Sequence, residues 1–265
     1  MKKIFVLLCI IAVLFSAMGC KKQKAADVLT VGATPEPHAE MLNLVAEELA
    51  KEGITLKVIE FTDYVTPNEA LESGQLDANF FQHLPYMDSF NKERGYHLVN
   101  AGGIHIEPIA LYSKKINQIA DLADGATIAI PNDPTNEGRA LLLLQSAGLI
   151  TLDDKGGLEA TVINIVENTK ALKFREIEAA SLPRVLEDVD AAVINGNYAI
   201  PAGFSASRDG LVLEGADSPY VNIICVTEGH ENDEKITALV KALQSDKVKS
   251  WITEKYENGE VVAAF

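Results

Sequence analysis

Cysteine is nearly absent from this chain: there are three in 265 residues, at positions 9, 20 and 225. Cys9 and Cys20 sit in or beside an N-terminal apolar run, which leaves only Cys225, inside "VNIICV". That excludes a disulfide framework, so stability has to come from a hydrophobic core, and a thiol in such surroundings reads as buried and inert. Basic residues are also scarce, with 23 Lys and Arg against 38 Asp and Glu and a net charge of −15. A surface this acidic argues against nucleic acid or anionic lipid as the main partner. The usual enzyme signatures are missing: no G-x-S-x-G, H-E-x-x-H, C-x-x-C, G-x-x-x-x-G-K-[ST], or G-x-G-x-x-G after a strand. The five histidines, at 38, 83, 97, 105 and 230, show no ligand spacing. His105 and Glu107 would share one face of a strand, but a metal site needs at least one more ligand and none lies nearby in sequence. No metal or cofactor is assigned.

What is present begins with "MKKIFVLLCIIAVLFSAMGC". Two lysines, an apolar stretch from Ile4 to Phe15 and small residues before Cys20 have the form of a signal peptide over residues 1–19. The apolar stretch is shorter than the roughly 20 residues a membrane-spanning helix needs. A cysteine directly after the small residues reads as a lipobox, with Cys20 as the lipidated residue. Ordinary secretion and a retained anchor are the alternatives. Loss of residues 1–19 removes two lysines and no acids, taking the charge from −15 to −17. Residues 20–27 then form a short polar tether.

From Val28 onward strand and helix signals alternate. "VLTVGAT", "TLKVIEF", "LDANFF", "ATIAI", "ATVINIV", "LKFREIEA", "DAAVINGN" and "YVNIICV" read as strands. "HAEMLNLVAEELAKEG" carries an apolar stripe at 41, 42, 45, 46 and 49, and residues 232–254 form a second amphipathic segment. This alternation predicts an α/β protein with mostly parallel sheets flanked by helices. An extended crossing near 105–115 and a return near 215–225 would divide it into two lobes: 28–110, 111–220, and 221–265 returning to the first. Ligands of open α/β sheets bind beyond the carboxyl ends of the strands, so two facing lobes would place the site in the cleft between them.

Three clusters fall at such strand ends. In "IPNDPTNEGRALLLL", Asp133 before Pro134 suits an N-cap, and Asn136 and Arg139 share a helix face leaning back toward the strand–helix junction. Arg139 there is placed either to grip a carboxylate ligand with two hydrogen bonds or to pair with Glu137 or another internal acid. "FTDYVTPNEA" and "ANFFQHLPYM" bring Phe61, Tyr64, Phe81 and His83 to strand ends as an aromatic box for an apolar side chain, with one of Phe80 and Phe81 expected in the core. Asn195 in "VINGNYA" and Asn222 in "SPYVNII" offer donors and acceptors suited to a zwitterion, although Asn-Gly alone is commonly a turn.

With these stretches in view, "VGATPEPHAE", "FTDYVTPNEAL", "LDANFFQHLPYM", "IHIEPIALYS", "IAIPNDPTNEGRALLLLQSAGLI" and "LPRVLEDVDAAVINGNYA" resemble the methionine-binding lipoproteins of ABC importers, the NLPA lipoprotein family, through the whole mature length. The resemblance implies a two-lobed solute-binding protein, not an enzyme. It would be monomeric, lipid-anchored outside the cytoplasm, and would pass methionine to a permease driven by an ATPase subunit. By the same resemblance Arg139 would grip the ligand carboxylate with Asn136 in support, and Asn195 and Asn222 would bind its amino and carboxylate groups. Tyr64, Phe81 and His83 would line the side-chain pocket together with Phe61, and Asn197 would stand behind them. A D-methionine or methionyl-dipeptide binder, an adhesin or sensor reusing the scaffold, and a hydrolase on an α/β core are the other readings.

Overall fold

The apolar runs assemble into two separate sheets. The computed structural model describes residues 27–215 and 218–265, so the leader segment, Cys20 and the tether up to residue 26 lie outside the described residues. The chain first lays down β1 (Asp27–Ala33), β2 (Ile54–Glu60), β3 (Ala78–His83) and β4 (Leu98–Ile106). Between them run α1 (Glu40–Lys51), α2 (Thr66–Glu72) and α3 (Leu84–Arg94). It then crosses at residues 107–109 into β5 (Ala110–Tyr112), β6 (Thr127–Pro131) and α4 (Pro134–Ser146). A small hairpin follows, β7 (Thr151–Leu152) with β8 (Ile165–Glu167), and then β9 (Lys173–Ile177). The short α5 (Leu182–Val185) leads into β10 (Ala191–Ile194), followed by α6 (Gly196–Ala199), α7 (Ala206–Asp209) and β11 (Val212–Leu213). The last part is β12 (Val221–Thr227), α8 (Glu234–Leu243), α9 (Asp246–Lys255) and β13 (Val262–Ala263).

The first sheet has the order β13-β4-β12-β3-β1-β2 and the second β11-β5-β10-β6-β9. Both are mixed. In the first, β1, β2 and β3 are parallel, while β12 is antiparallel to its neighbours β3 and β4. In the second, β6, β9 and β10 are parallel and β5 runs against β10. Antiparallel β12 follows from the return crossing: the chain re-enters the first sheet from the end at which it left.

Each sheet is covered on both faces, which is why β3 and β10 are buried at every position. Helices α1, α8 and α9 pack Leu42, Leu49, Leu239 and Ile252 over Val31, Phe80 and Ile224. The other face of that sheet buries Leu71 and Met87 against Ile223 and Cys225, and burial pushes the Cys225 thiol well above its usual range, so it is inert. In the second lobe α4 seats Leu141 and Leu144 on Ile128, Ile130 and Val193.

Four local departures from the sequence expectation have simple causes. The amphipathic segment 232–254 is two helices, because Ser245 caps the second by accepting the Val248 N–H at 3.4 Å. The run "ATVINIV" forms a 3₁₀ turn at Val162–Asn164, closed by a reciprocal Thr161–Asn164 capping box, before the short β8. The third strand starts at Ala78 and extends through Gln82 and His83. Finally β13 adds an edge strand to β4 that no alternation announces. Among the described residues no helix is long and apolar enough to cross a membrane.

One glycine fixes how α4 meets the loop beyond β7. A Cβ on Gly138 would stand 2.2 Å from the Leu158 carbonyl oxygen and 2.9 Å from the Ala160 nitrogen, both backbone atoms. Gly138→Ala is therefore expected to destabilise by about 1–3 kcal/mol through overpacking, despite the roughly 1 kcal/mol helix-propensity gain from alanine. A lowered urea midpoint at unchanged m-value is the expected readout.

Candidate ligand-binding site

The site grows out of strand ends. Strands β3, β4, β6 and β10 all terminate at the cleft between the two sheets, and antiparallel β12 begins there, with Asn222 in register with both His83 and His105. Phe80 and Phe81 alternate across β3. Phe80 is fully buried in the core, edge-on to His38 and His105, while Phe81 faces the cleft near Tyr64 and Tyr86. The cleft holds about 330 Å³ of empty space, its mouth included.

One wall comes from α4. Asp133 is the N-cap, accepting the Asn136 N–H at 3.0 Å, with Pro134 in the first turn. The same carboxylate accepts from Asn136 Nδ2 at 2.9 and 3.1 Å. An ionised carboxylate only accepts, so the Asn136 amide is fixed with Oδ1 toward the cleft. There Oδ1 accepts from Asn195 Nδ2 at 2.7 Å, which turns Asn195 Oδ1 inward, buried and without a partner among the described residues. Burial raises the Asp133 carboxyl above its ordinary range, opposed by these same hydrogen bonds.

Arg139 is 4% exposed. Its Nε donates to Glu214 Oε1 at 2.8 Å and its Nη2 to Glu214 Oε2 at 2.5 Å. Nη2 also donates to the Glu107 carbonyl at 2.8 Å, and the guanidinium lies over the Tyr220 ring, 4.3 Å from its centroid. The internal-acid alternative is therefore realised, with Glu214 as the acid. Glu137 instead accepts from the Val162 N–H. Pairing does not exhaust the guanidinium: Nη1 makes no hydrogen bond to a described residue, and Arg139 lines the cleft. The pairing holds the fork in one orientation.

His83 caps α3: its Nδ1 accepts the Tyr86 N–H at 3.1 Å, so the ring proton is on Nε2, donating to Asn136 Oδ1 at 3.3 Å. Burial, helped by the Arg139 charge, pushes its pKa down to about 3. His83 is thus a neutral wall, not a charge. Tyr64 donates from its hydroxyl to Asn197 Oδ1 at 2.5 Å across the two lobes. Tyr198 makes a second such bridge, donating to the Thr62 carbonyl at 3.1 Å. Asn222 accepts through Oδ1 from His38 Nε2 at 3.0 Å, leaving its Nδ2 for the cleft.

The cleft therefore brings together Arg139, Asn136, Asn195, Asn222, His83, Tyr64 and Phe81. Phe61 is a correction. It follows edge strand β2 and packs with Ile59, Leu76 and Tyr96 on the outer side of the first sheet, lying against Gly32 and away from the cleft. The sequence reading also left out Gln82, Tyr86, Glu107 and Gly196, which line the cleft, and put Asn197 behind it although it lines the cleft too. Sequence marks Glu107 only as a companion of His105 and by its position just before Pro108 at the lobe crossing.

The structure adds His38 to that pair, and the three ligand atoms lie within 4.8 Å of one another. Their geometry is that of a hydrogen-bond network. His105 Nε2 and His38 Nε2 face Glu107 Oε1 at 2.8 and 3.3 Å, and Thr34 Oγ1 donates to His38 Nδ1 at 2.8 Å. A metal-binding histidine gives its other N–H to an acceptor, whereas His105 Nδ1 has no partner among the described residues. As an Nε2–H tautomer His105 donates to Glu107 Oε1, while His38 gives its one Nε2 proton to Asn222 Oδ1 and stands beside the carboxylate.

Two lobes around an enclosed cleft with opposed charges, amide groups and aromatic walls define a solute-binding protein of the periplasmic type. The chain belongs to the NlpA lipoprotein family, whose model matches residues 29–265. It is 46% identical over 248 residues to a protein of Pasteurella multocida named a probable D-methionine-binding lipoprotein MetQ, covering 93% of this chain and 90% of that one. Among solved structures it is similar to a nutrient-binding protein from Burkholderia cenocepacia bound to methionine, with 50% identity, a TM-score of 0.86, and coverage of 89% of this chain and 100% of that one. It is likewise similar to a periplasmic substrate-binding protein of an ABC transporter from Coxiella burnetii, with 45% identity, a TM-score of 0.85, and coverage of 89% and 100%.

Proposed function

We propose that this protein is the substrate-binding component of an ABC importer, that it captures methionine, the L-isomer foremost, and that it hands it to a membrane permease with its ATPase subunit. It acts as a binding protein, monomeric, held outside the cytoplasm by lipid on Cys20. The observation that carries the reading is the pairing in one small cleft of an arginine with an unused Nη1, two amides presenting one acceptor and one donor, and an aromatic box. Arg139 and Asn222 Nδ2 take the ligand carboxylate, and Asn195 Oδ1 takes its amino group. Phe81, Tyr64, Tyr86 and His83 surround the thioether, where sulfur–aromatic contacts add to burial. The lobes divide in this reading at residues 28–110 with 221–265 against 111–220. Closure is driven by ligand contacts from both, so that binding shifts an open–shut equilibrium.

A melting panel of amino acids tests this. Ligand at about 100 times its Kd stabilises by roughly 2.7 kcal/mol, which for a chain of this size raises Tm by about 5–10 °C. Methionine is expected to give that shift and leucine or glutamate a much smaller one. Equal shifts from all amino acids, or none from methionine, would sink the assignment. Titrating D-methionine and a methionyl dipeptide beside the L-isomer ranks the close alternatives.

A further inference from the structure

At the junction of the lobes three strands of the first sheet end side by side. β4 lies between β12 and β13, and Ile106 is in register with Val221 of one and Val262 of the other. Two of these strands run on covalently into the second lobe: β4 through residues 107–109, and β12 through the return from β11. Beside β13 the lobes are joined by side chains instead. Glu260, just ahead of β13, accepts a hydrogen bond from the Ser205 hydroxyl. Ser205 belongs to the other lobe, since it precedes α7, whose Ala206 is buried with Ala110 and Tyr112 of β5. Both partners are buried, Ser205 at 6% and Glu260 at 8% exposure. Among the described residues no lysine or arginine forms an ion pair with Glu260, because Arg208 pairs with Asp209, and Ser205 is its one hydrogen-bond donor. A buried carboxylate so sparsely compensated depends on that bond. The serine is itself held: its N–H donates to Asp209 Oδ2 at 2.8 Å. The cleft is built on the β3 and β12 side of β4 and Glu260 stands on the β13 side, so the crossing at 107–109 separates this bond from the ligand.

We propose that the Ser205–Glu260 hydrogen bond is a latch of the shut form, made as the lobes close and lost as they part. It makes both residues positioning residues for ligand capture, although neither lines the cleft. Neither lies on a chain crossing, so a rotation that parts the lobes displaces one against the other. Donor and acceptor stay well bonded over a range of only about half an ångström, which such a displacement exceeds. The bond then acts on affinity solely through the open–shut equilibrium, because it stabilises the form that holds the ligand. This rests on the capture reading above and adds to it a determinant on the far side of the hinge.

Calorimetric titration with L-methionine, and melting curves with and without it, test the latch in the full protein and in Ser205→Ala, Glu260→Leu and Glu260→Gln. Ser205→Ala is expected to weaken methionine about tenfold, and its melting temperature should fall further in saturating methionine than in its absence. Glu260→Gln keeps an acceptor for the serine and is expected to recover most of that affinity. A Ser205→Ala protein that binds methionine as the wild type does, and loses equal stability with and without ligand, overturns the proposal: the bond would then be a fixed pivot made in both forms. Tighter binding by Ser205→Ala overturns it as well, since the bond would favour the open form. If Ser205→Ala does not fold, Glu260→Leu, which leaves no unpaired carboxylate, decides by the same criteria. If the wild type binds another amino acid but not methionine, the methionine reading fails and the latch is judged with that ligand by the same criteria. Binding of no amino acid overturns both.

Discussion

Arg139→Ala is expected to lower methionine affinity by about 2–5 kcal/mol, roughly thirtyfold to several thousandfold, because a buried ligand carboxylate loses its charged partner. The same substitution also strips Glu214 of its only ion-pair partner among the described residues, at a side chain that is just 14% exposed. Its melting temperature should therefore fall even without ligand. The two effects separate cleanly. Arg139→Lys keeps a positive charge near Glu214 but not the fork, nor the flat contact with Tyr220. It should recover much of the stability and little of the affinity, since an ammonium cannot hold Glu214 with two nitrogens and still present a third to the ligand. Calorimetry and thermal melts on the two variants read both quantities. A destabilised Arg139→Ala protein with unchanged methionine affinity would make the arginine a strut for Glu214 and nothing more.

That ambiguity was already present in the sequence. Spacing places Asn136 and Arg139 on one face, but it does not say which acid a guanidinium meets. Glu214 is 75 positions away, and only the antiparallel pairing of β11 with β5 brings it home. Local chemistry was legible throughout: the Asp133–Pro134 cap, the alternation of Phe80 and Phe81, and the buried Cys225 all follow from side-chain type and period. Features that depend on the chain's return were not. Asn222 meets His38 across 184 positions, and His38, from the helical turn after β1, comes to stand beside His105 and Glu107. Phe61 failed for a related reason. A strand end marks the cleft only for strands whose carboxyl ends face the second lobe from inside the sheet, and β2 is the edge strand. The resemblance of motifs carried function further than composition did, since it fixes several distant positions at once.

The cross-lobe contacts give closure a physical basis. Tyr64 with Asn197, Tyr198 with Thr62, and His83 with Asn136 each join a residue of the first sheet's lobe to one of the second. Lys92 and Glu159 add an exposed ion pair of 3.7 Å at the rim, worth little in water. None of these alone holds the lobes shut. A ligand that adds an arginine clamp on one side and an amide on the other contributes several times more than the rim, so its presence decides the population.

Stability should fall steeply as pH drops below about 6.5, and the reason again lies at the cleft. Burial lowers the folded-state pKa of His38 to about 4 and of His83 and His105 to about 3, from an unfolded value near 6.5. Between these limits the unfolded chain binds protons that the folded chain refuses. Each histidine then removes about 1.4 kcal/mol per pH unit, or about 4 kcal/mol for the three together. Carboxyls work the other way. Burial, with Glu176 adding to it, lifts Glu137 to about 7, so between 4.5 and 7 its folded form holds an extra proton and cancels one histidine. Glu107 and Asp133, also raised by burial, oppose the loss further at the acid end. The net expectation is a loss of about 2–4 kcal/mol between pH 6.5 and 5, a large share of the roughly 5–15 kcal/mol that holds an ordinary domain. Urea titrations at half-unit pH intervals measure it. Replacing one contributor isolates the cause: His105→Phe removes a histidine whose Nδ1 has no partner, and should flatten the slope by about 1.4 kcal/mol per pH unit. A wild-type curve that stays level from pH 7 to 5 would mean that these rings are protonated in the folded protein, and the neutral state assigned to His38, His83 and His105 would have to be abandoned with it.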